Sequence, residues 1–144
     1  MKKVVKVLSL IGLTSLVLAS CSTTGPSTTI INRNNKSALY NSTWKLVEDG
    51  EVVKGLNNQD VSLVINNDDF KVTGFAGCNH FNTSAELNSN QIKFGPVAST
   101  KMSCPNSATE NSFLSVFDKV DRYEIKGNEL FLYKGNLLLL QFKQ

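Results

Sequence analysis

Short runs in which apolar and polar residues alternate, separated by turn residues, fill the chain from about residue 40 onward. Val61, Leu63 and Ile65 form one such run, and similar runs recur at close intervals up to Phe142. Successive side chains of a strand point to opposite faces, so a period of two is typical of strands with one buried face. The pattern predicts a mainly β fold, a small antiparallel β-barrel-like domain or sandwich, over residues 39–144.

Two hairpins are predicted in the first half of this domain. Asp49-Gly50 separates Trp44–Glu48 from Glu51–Val53, and Asp-Gly between two strand-like runs is a strong hairpin signal. A second hairpin is predicted to turn at Asn66–Asp69 and to continue with strand residues from Phe70 to Gly74.

The second half of the domain contributes four further strand-like runs. They are Gln91–Phe94, Tyr123–Ile125, Leu130–Tyr133 and Leu137–Phe142. Gly-Asn turns separate the last three runs, which are therefore predicted to form a meander.

One segment has helical rather than strand periodicity. Its apolar residues recur at spacings of three and four: Phe113, Leu114, Val116, Phe117 and Val120. The preceding Ser107–Glu110 fits a capping box, in which Ser and Glu satisfy the first backbone N–H groups of a helix. We expect one amphipathic α-helix over about 108–120, with its apolar stripe buried against one end or one face of the sheet.

The N-terminus has the layout of a secretory signal peptide. Lys2, Lys3 and Lys6 form a basic end, and a largely apolar stretch runs from Val7 to Leu18. That stretch is too short for a permanent transmembrane helix, which needs about 20 residues. Residues 1–20 are therefore expected to be removed.

The residues Leu18–Cys21 resemble the lipobox of bacterial lipoproteins. The resemblance implies lipidation (palmitate among the acyl chains) at Cys21, which would become the mature N-terminus and anchor the protein to a membrane. The alternative is an ordinary secreted protein cleaved near a cysteine. In Gram-negative lipoproteins Asp after the cysteine retains the protein in the inner membrane, so Ser22 implies the outer membrane, facing the periplasm.

Residues 21–38 are predicted to be a flexible tether, because they are rich in Ser, Thr and Asn and contain almost nothing to bury. Cleavage before Cys21 also removes three lysines, which leaves 12 basic against 12 acidic residues. Proteins that bind nucleic acid carry a basic face, so the neutral charge argues against that class. We expect a monomer.

Two cysteines remain once Cys21 is lipidated. Cys78 and Cys104 would form a disulfide in an oxidising compartment. Alternatively, Cys78, His80 and Cys104 would bind a soft metal, since Cys78 and His80 would share one face of a strand. His80 is the only histidine, so this set has three ligands and no clear fourth. The disulfide is the favoured interpretation, with no metal.

No catalytic set is evident in the sequence. A nucleophile with a base, or two differently tuned carboxylates, is required for most hydrolytic chemistry, and the chain has no Gly-x-Ser-x-Gly. Asp68 and Asp69 are interpreted as turn residues, and Gly74–Gly77 as a bulge or close packing rather than a phosphate loop. We expect a protein without enzymatic activity and without a cofactor; a two-carboxylate glycosidase site is the alternative that the sequence leaves open.

Three segments together resemble the META domain, or HslJ-like, family. They are Ser42–Val47, Val72–Asn79 and Ala98–Pro105, followed by Glu110, Phe113 and Leu114 at the helix. The resemblance implies a barrel-like fold with one helix in bacterial envelope proteins, some tied to heat shock and to novobiocin resistance. This chain departs from the usual pattern after Asn79, where His80–Ala85 replaces the Arg-Phe and Gly of the family in an expected loop.

These observations favour a non-catalytic envelope lipoprotein that acts on an unidentified envelope protein partner in stress response or resistance. A second hypothesis is an inhibitor of a lysozyme or protease, with a protruding loop at Gly95–Pro105 as bait. A third is a lipocalin-like carrier, which requires a cavity inside the barrel.

Overall fold

A computed structural model describes residues 36–144 of the protein. The predicted signal peptide, Cys21 and the predicted tether up to residue 35 lie outside the described residues.

Ten strands form one antiparallel sheet in this part of the chain. In chain order they are β1 (Trp44–Glu48), β2 (Glu51–Val52), β3 (Ser62–Ile65), β4 (Lys71–Phe75), β5 (His80–Asn88), β6 (Gln91–Phe94), β7 (Ala98–Ser99), β8 (Arg122–Lys126), β9 (Glu129–Lys134) and β10 (Leu137–Lys143). Eight of them follow one another in the order β1, β3, β4, β5, β6, β8, β9, β10, and β10 pairs again with β1. The sheet therefore closes into a ring, with β2 and β7 attached outside this circuit, and the mainly β prediction is confirmed.

The hairpin at Asp49-Gly50 is confirmed, since Glu48 pairs with Glu51. Both turn residues have positive φ, 50° at Asp49 and 84° at Gly50. A two-residue turn of type I′ requires this conformation at both positions, and its twist matches that of the flanking strands.

The second hairpin is also confirmed, with Ile65 opposite Val72. Phe70, however, was predicted as a strand residue and lies in the turn, with φ of 52° and its side chain 42% exposed. Asp69 explains part of this difference, because its carboxylate accepts the N–H of Lys71 at 3.0 Å and so forms a local turn.

The longest strand, β5, lies where the sequence predicts a loop after Asn79. Phe81, Thr83 and Ala85 are buried and alternate with exposed neighbours along this strand. β5 lies between β4 and β6 in the ring. The departure from the family pattern at His80–Ala85 therefore falls on a central strand.

The C-terminal meander has the predicted order, β8 to β9 to β10. Leu46 of β1 lies opposite Phe142 of β10. This pairing closes the ring and joins the two ends of the domain.

The predicted helix is shorter than expected. The α-helix α2 spans Ala108–Leu114, and a separate 3₁₀ turn covers Phe117–Lys119. The hydroxyl of Ser115 donates to the carbonyl of Ser112 at 2.9 Å, an oxygen that the next α-helical turn would have used. No helix within residues 36–144 is long and apolar enough to cross a membrane.

The apolar stripe of α2 and the 3₁₀ turn is buried, as predicted. Phe113 and Phe117 pack edge-on against Phe81 of β5, with ring centroids 5.6 and 5.3 Å away. Phe113 also contacts Phe142 of β10 at 6.1 Å. These rings and Tyr123 belong to one continuous hydrophobic core.

A short helical turn precedes the first strand. Lys36–Leu39 form one helical turn, α1, in a stretch predicted to belong to the tether and in addition to the single predicted helix. Leu39 is fully buried, and its carbonyl accepts the indole N–H of Trp44 at 3.1 Å. Leu39 therefore fixes the end of α1 against the core.

Candidate functional site

A disulfide joins Cys78 and Cys104, whose Cα atoms lie 6.2 Å apart. Cys78 is buried just before β5, whereas His80 begins that strand and is exposed. The two residues therefore do not share a strand face, which the metal alternative required. No group of three His, Cys, Asp or Glu residues suited to a metal ion occurs within residues 36–144.

Asn79, next to the disulfide, is buried and binds the carboxylate of Glu110. Its backbone N–H donates to Oε2 of Glu110 at 2.6 Å, and its side-chain amide donates to Oε1 at 3.1 Å. Hydrogen bonds to a charged acceptor are roughly twice as strong as those between neutral groups. The two donors compensate Glu110 for the water that it loses on burial.

The amide oxygen of Asn79 is also occupied. It accepts the hydroxyl of Thr100 at 2.9 Å and the backbone N–H of Met102 at 2.7 Å. Asn79 thus connects the start of β5, helix α2 and the segment after β7. We call Asn79, Glu110, Thr100, Met102 and the disulfide the Asn79 lock.

The predicted capping box at Ser107–Glu110 is wrong. Ser107 makes no side-chain cap hydrogen bond, and the Glu110 carboxylate binds Asn79 instead. The donors of Asn79 are buried and have no water to bind, so they compete successfully with the solvent-accessible helix terminus. Periodicity alone gives no signal for this tertiary contact.

The segment Gly95–Pro105, expected to protrude as a loop, is held against the domain. Ala98 pairs with Asn82 and Ser99 with Phe81. The Asn79 lock then fixes the chain from Thr100 to Cys104. Only side chains such as that of Met102, 53% exposed, project from it.

Gly74 and Gly77 permit close packing, as interpreted from the sequence. A Cβ at Gly74 would overlap the carbonyl oxygen of Ser62, and Gly77 has a φ of 112°. The carbonyl of Gly77 accepts the N–H of Leu56 at 2.6 Å. Both glycines therefore allow backbone segments to approach beside the lock.

A groove of about 610 Å³, the outer groove, crosses the outward face of the sheet next to the lock. One row of its floor is Val64, Thr73, Asn82 and Ala98, which are successive partners across β3, β4, β5 and β7. The groove is not predicted from the sequence because β5 is not. The alternation of exposed His80, Asn82 and Ser84 with buried neighbours was the signal that this strand prediction needed.

A second row of the outer groove contains Ser62, Phe75 and His80. The rings of Phe75 and His80 lie 5.4 Å apart at a tilt of 56°. Among the hydrogen bonds of residues 36–144, none involves an imidazole nitrogen of His80. His80 therefore has an aromatic neighbour but no carboxylate to orient it as a base.

Asp68 and Asp69 do not form a paired carboxylate site. Asp68 donates its backbone N–H to the side-chain oxygen of Asn66 at 2.9 Å. The Asp69 carboxylate accepts the backbone N–H of Lys71 at 3.0 Å. Both residues are exposed in the β3–β4 turn. Their interactions are those of turn residues, as the sequence indicated.

Comparison with known proteins places the chain in a family. The META domain model matches residues 37–144. An NMR structure of a protein from Burkholderia xenovorans is similar with a TM-score of 0.59 and 20% identity, over 83% of this chain and 95% of that one. A second NMR structure is similar with a TM-score of 0.58 and 17% identity, over 78% of this chain and 95% of the other.

No curated protein matches the chain. The two structural likenesses concern the fold, whereas the family model covers the whole of the β domain. The matched range, residues 37–144, includes the lock residues Cys78, Asn79, Cys104 and Glu110. The chain belongs to the META domain family.

Proposed function

We propose that the protein is a non-catalytic envelope lipoprotein, anchored by lipid on Cys21, whose META domain acts by binding a partner. Its role would lie in stress response or in resistance to novobiocin-type antibiotics. The lipobox-like Leu18–Cys21 supports the anchor, and Ser22 favours the outer membrane, facing the periplasm. Family resemblance supports the role.

The observation that carries the non-catalytic part is the internal use of Asn79 and Glu110. A catalytic carboxylate must reach a substrate, but both oxygens of Glu110 accept hydrogen bonds from Asn79. Cys78 and Cys104 are bonded to each other and offer no thiolate. The most chemically distinctive residues of the family motif therefore support the fold.

Deletion of the gene tests this proposal. The deletion strain should be more sensitive to heat and novobiocin, and the wild-type gene should restore resistance. Cys21→Ala, which cannot be lipidated, should be exported but fail to restore it, whereas the control Ser22→Ala keeps the lipidation site. Unchanged sensitivity of the deletion strain would remove the proposed role, and full rescue by Cys21→Ala would remove the need for an anchor.

Met102 favours an inhibitor of a lysozyme or protease as a second candidate. Its backbone N–H is fixed by Asn79 at 2.7 Å, while its side chain is 53% exposed. A rigid backbone that presents an exposed side chain reduces the entropic cost of binding. Assays with such enzymes at micromolar protein should show inhibition that Met102→Ala weakens and the neighbouring control Lys101→Ala does not.

The packing of the ring interior counts against a lipocalin-like carrier. Trp44, Phe117, Tyr123 and Phe142 are among the largest side chains that are fully buried in the core. A carrier needs a cavity where these side chains lie.

A further inference from the structure

We infer that the outer groove is a binding site for an uncharged oligosaccharide. The inference deepens the proposed binding role and rests on it, because it names the class of ligand that the domain would take.

The shape of the groove suits an extended ligand. Its floor crosses four strands, from Val64 on β3 to Ala98 on β7. Adjacent strands are about 4.8 Å apart, so the row is about 15 Å long, which fits roughly three sugar rings. Its volume of about 610 Å³ is in the range of small-molecule sites.

The polar groups of the groove are neutral and available. Thr43, Gln59, Thr73 and Asn82 are exposed along it, and no hydrogen bond within residues 36–144 uses their side chains. Hydroxyl and amide groups both donate and accept, as sugar hydroxyls do. A ligand with many hydroxyl groups can therefore pair with several of them at once.

The Asn79 lock positions another hydroxyl at the rim. Thr100 lines the groove and donates its hydroxyl proton to Asn79. Its oxygen is thereby fixed as an acceptor for a ligand hydroxyl. This contact joins the family motif to the groove.

The lack of acidic and basic residues in the groove argues against an ionic ligand. Among the described residues that line the groove, none is Asp, Glu, Lys or Arg. Lys45 lies beside Ser62 in the sheet, but it is paired with Asp60 at 3.1 Å. An anionic or cationic ligand would lose water without gaining a counter-charge.

The backbone of the groove floor is unsuited to an extended peptide. Peptides often add a strand to an open sheet edge. β3, β4 and β5 each have a partner on both sides, however, and β7, whose only strand partner among the described residues is β5, is just two residues long. Recognition must therefore use side chains, including the His80 ring that rests against Phe75.

Titration of the purified full-length protein tests the inference, in a detergent without a sugar headgroup. The probes are triacetylchitotriose and maltotriose as neutral trisaccharides, with trigalacturonate and triserine for comparison. At least one neutral trisaccharide should bind saturably and shift the amide NMR signals of Thr73, His80 and Asn82. Trigalacturonate and triserine should bind at least about tenfold more weakly.

Variants then locate the site. Asn82→Ala and His80→Ala should each weaken binding about tenfold, the effect of one or two lost hydrogen bonds or contacts. Thr73→Phe should block the groove while the polar side chains of Gln59, His80 and Asn82 stay in place. The matched control Asn111→Ala removes an exposed amide on α2 and should bind as the wild type does.

Three results would overturn the inference: neither neutral trisaccharide binds, an anionic or peptide probe binds as tightly, or groove variants with wild-type melting curves bind normally. If the binding tests fail and the deletion strain is still more sensitive to heat and novobiocin, the ligand class is wrong while the proposed envelope role stands. If a neutral trisaccharide binds and the deletion strain has normal resistance, the ligand class stands while the proposed role is wrong.

Discussion

Asn79 and Glu110, 31 residues apart in the chain, are joined by two hydrogen bonds of 2.6 and 3.1 Å. Asn79 precedes the central strand β5, and Glu110 lies in the first turn of α2. The contact therefore fastens the helix to the closed sheet. Because both residues are buried, removal of the Glu110 carboxylate leaves the backbone N–H of Asn79 without its acceptor, and removal of the Asn79 side chain leaves Oε1 of Glu110 without its donor.

The first prediction concerns the acceptor of this pair. Glu110→Gln preserves the shape of the side chain but replaces one oxygen with an NH₂ group that faces a donor. We expect the free energy of unfolding to fall by about 1–3 kcal/mol, measured by urea denaturation. Glu51→Gln, at an exposed position of β2, should change it by less than about 0.5 kcal/mol.

The second prediction concerns the disulfide. Cys78 and Cys104 are 26 residues apart, and closing such a loop stabilises a fold by about 3–4 kcal/mol in the chain-entropy model. The Cys78→Ala/Cys104→Ala double variant should lose a comparable amount in urea denaturation. Addition of a reductant should shift the wild type toward the variant and leave the variant itself unchanged. Equal stability of the wild type and the double variant in the absence of reductant would refute this prediction.

The third prediction concerns alkaline pH. Burial raises the pKa of Tyr123 above its ordinary value of 10.0, and the nearby Tyr40 adds to the shift. The folded state therefore retains the phenol proton where the unfolded chain releases it. The contribution to stability is complete below about pH 10 and is lost as the pH rises through the folded pKa.

Comparison of the wild type with Tyr123→Phe isolates this effect. The variant loses the hydrogen bond to the carbonyl of Ser89, 2.9 Å long, and should be about 1 kcal/mol less stable at neutral pH. Above about pH 10 the gap should narrow, because phenylalanine has no proton to lose. Urea midpoints across this range measure it, and a gap independent of pH would contradict the raised pKa.

The fourth prediction concerns close packing under the outer groove. A Cβ at Gly74 would meet the backbone of Ser62 and the ring of Phe81. Gly74→Ala should cost about 1–3 kcal/mol, as overpacking of a core does. Thr73→Ala alters the exposed neighbour in the same strand and serves as the control. Equal thermal midpoints for the two variants would rule out the steric role of Gly74.

Local signals in the sequence predicted the elements that depend on neighbouring residues. The Asp49-Gly50 turn specifies its hairpin by conformation alone. The alternating runs from Tyr123 to Phe142 predicted the meander, and the spacing of Phe113 and Phe117 predicted a buried helical stripe. These features require no knowledge of distant parts of the chain.

The features that sequence reasoning missed depend on distant contacts. Glu110 follows Ser107 at the spacing of a capping box, and only the tertiary structure shows that Asn79 is its partner. β5 begins directly after the glycines and Asn79, so its polar start at His80 was interpreted as a loop. The outer groove could not be anticipated without that strand, because β5 contributes Asn82 to one of its rows and His80 to the other.

A double-mutant cycle on the two lock residues tests most directly whether the family motif supports the fold. The free energy of unfolding is measured for the wild type, Asn79→Ala, Glu110→Ala and the double variant. Because the side chains contact each other, we predict that the double variant is more stable, by about 1–3 kcal/mol, than the sum of the single losses implies. A coupling energy near zero would contradict this structural role and make Asn79 and Glu110 candidates for direct function.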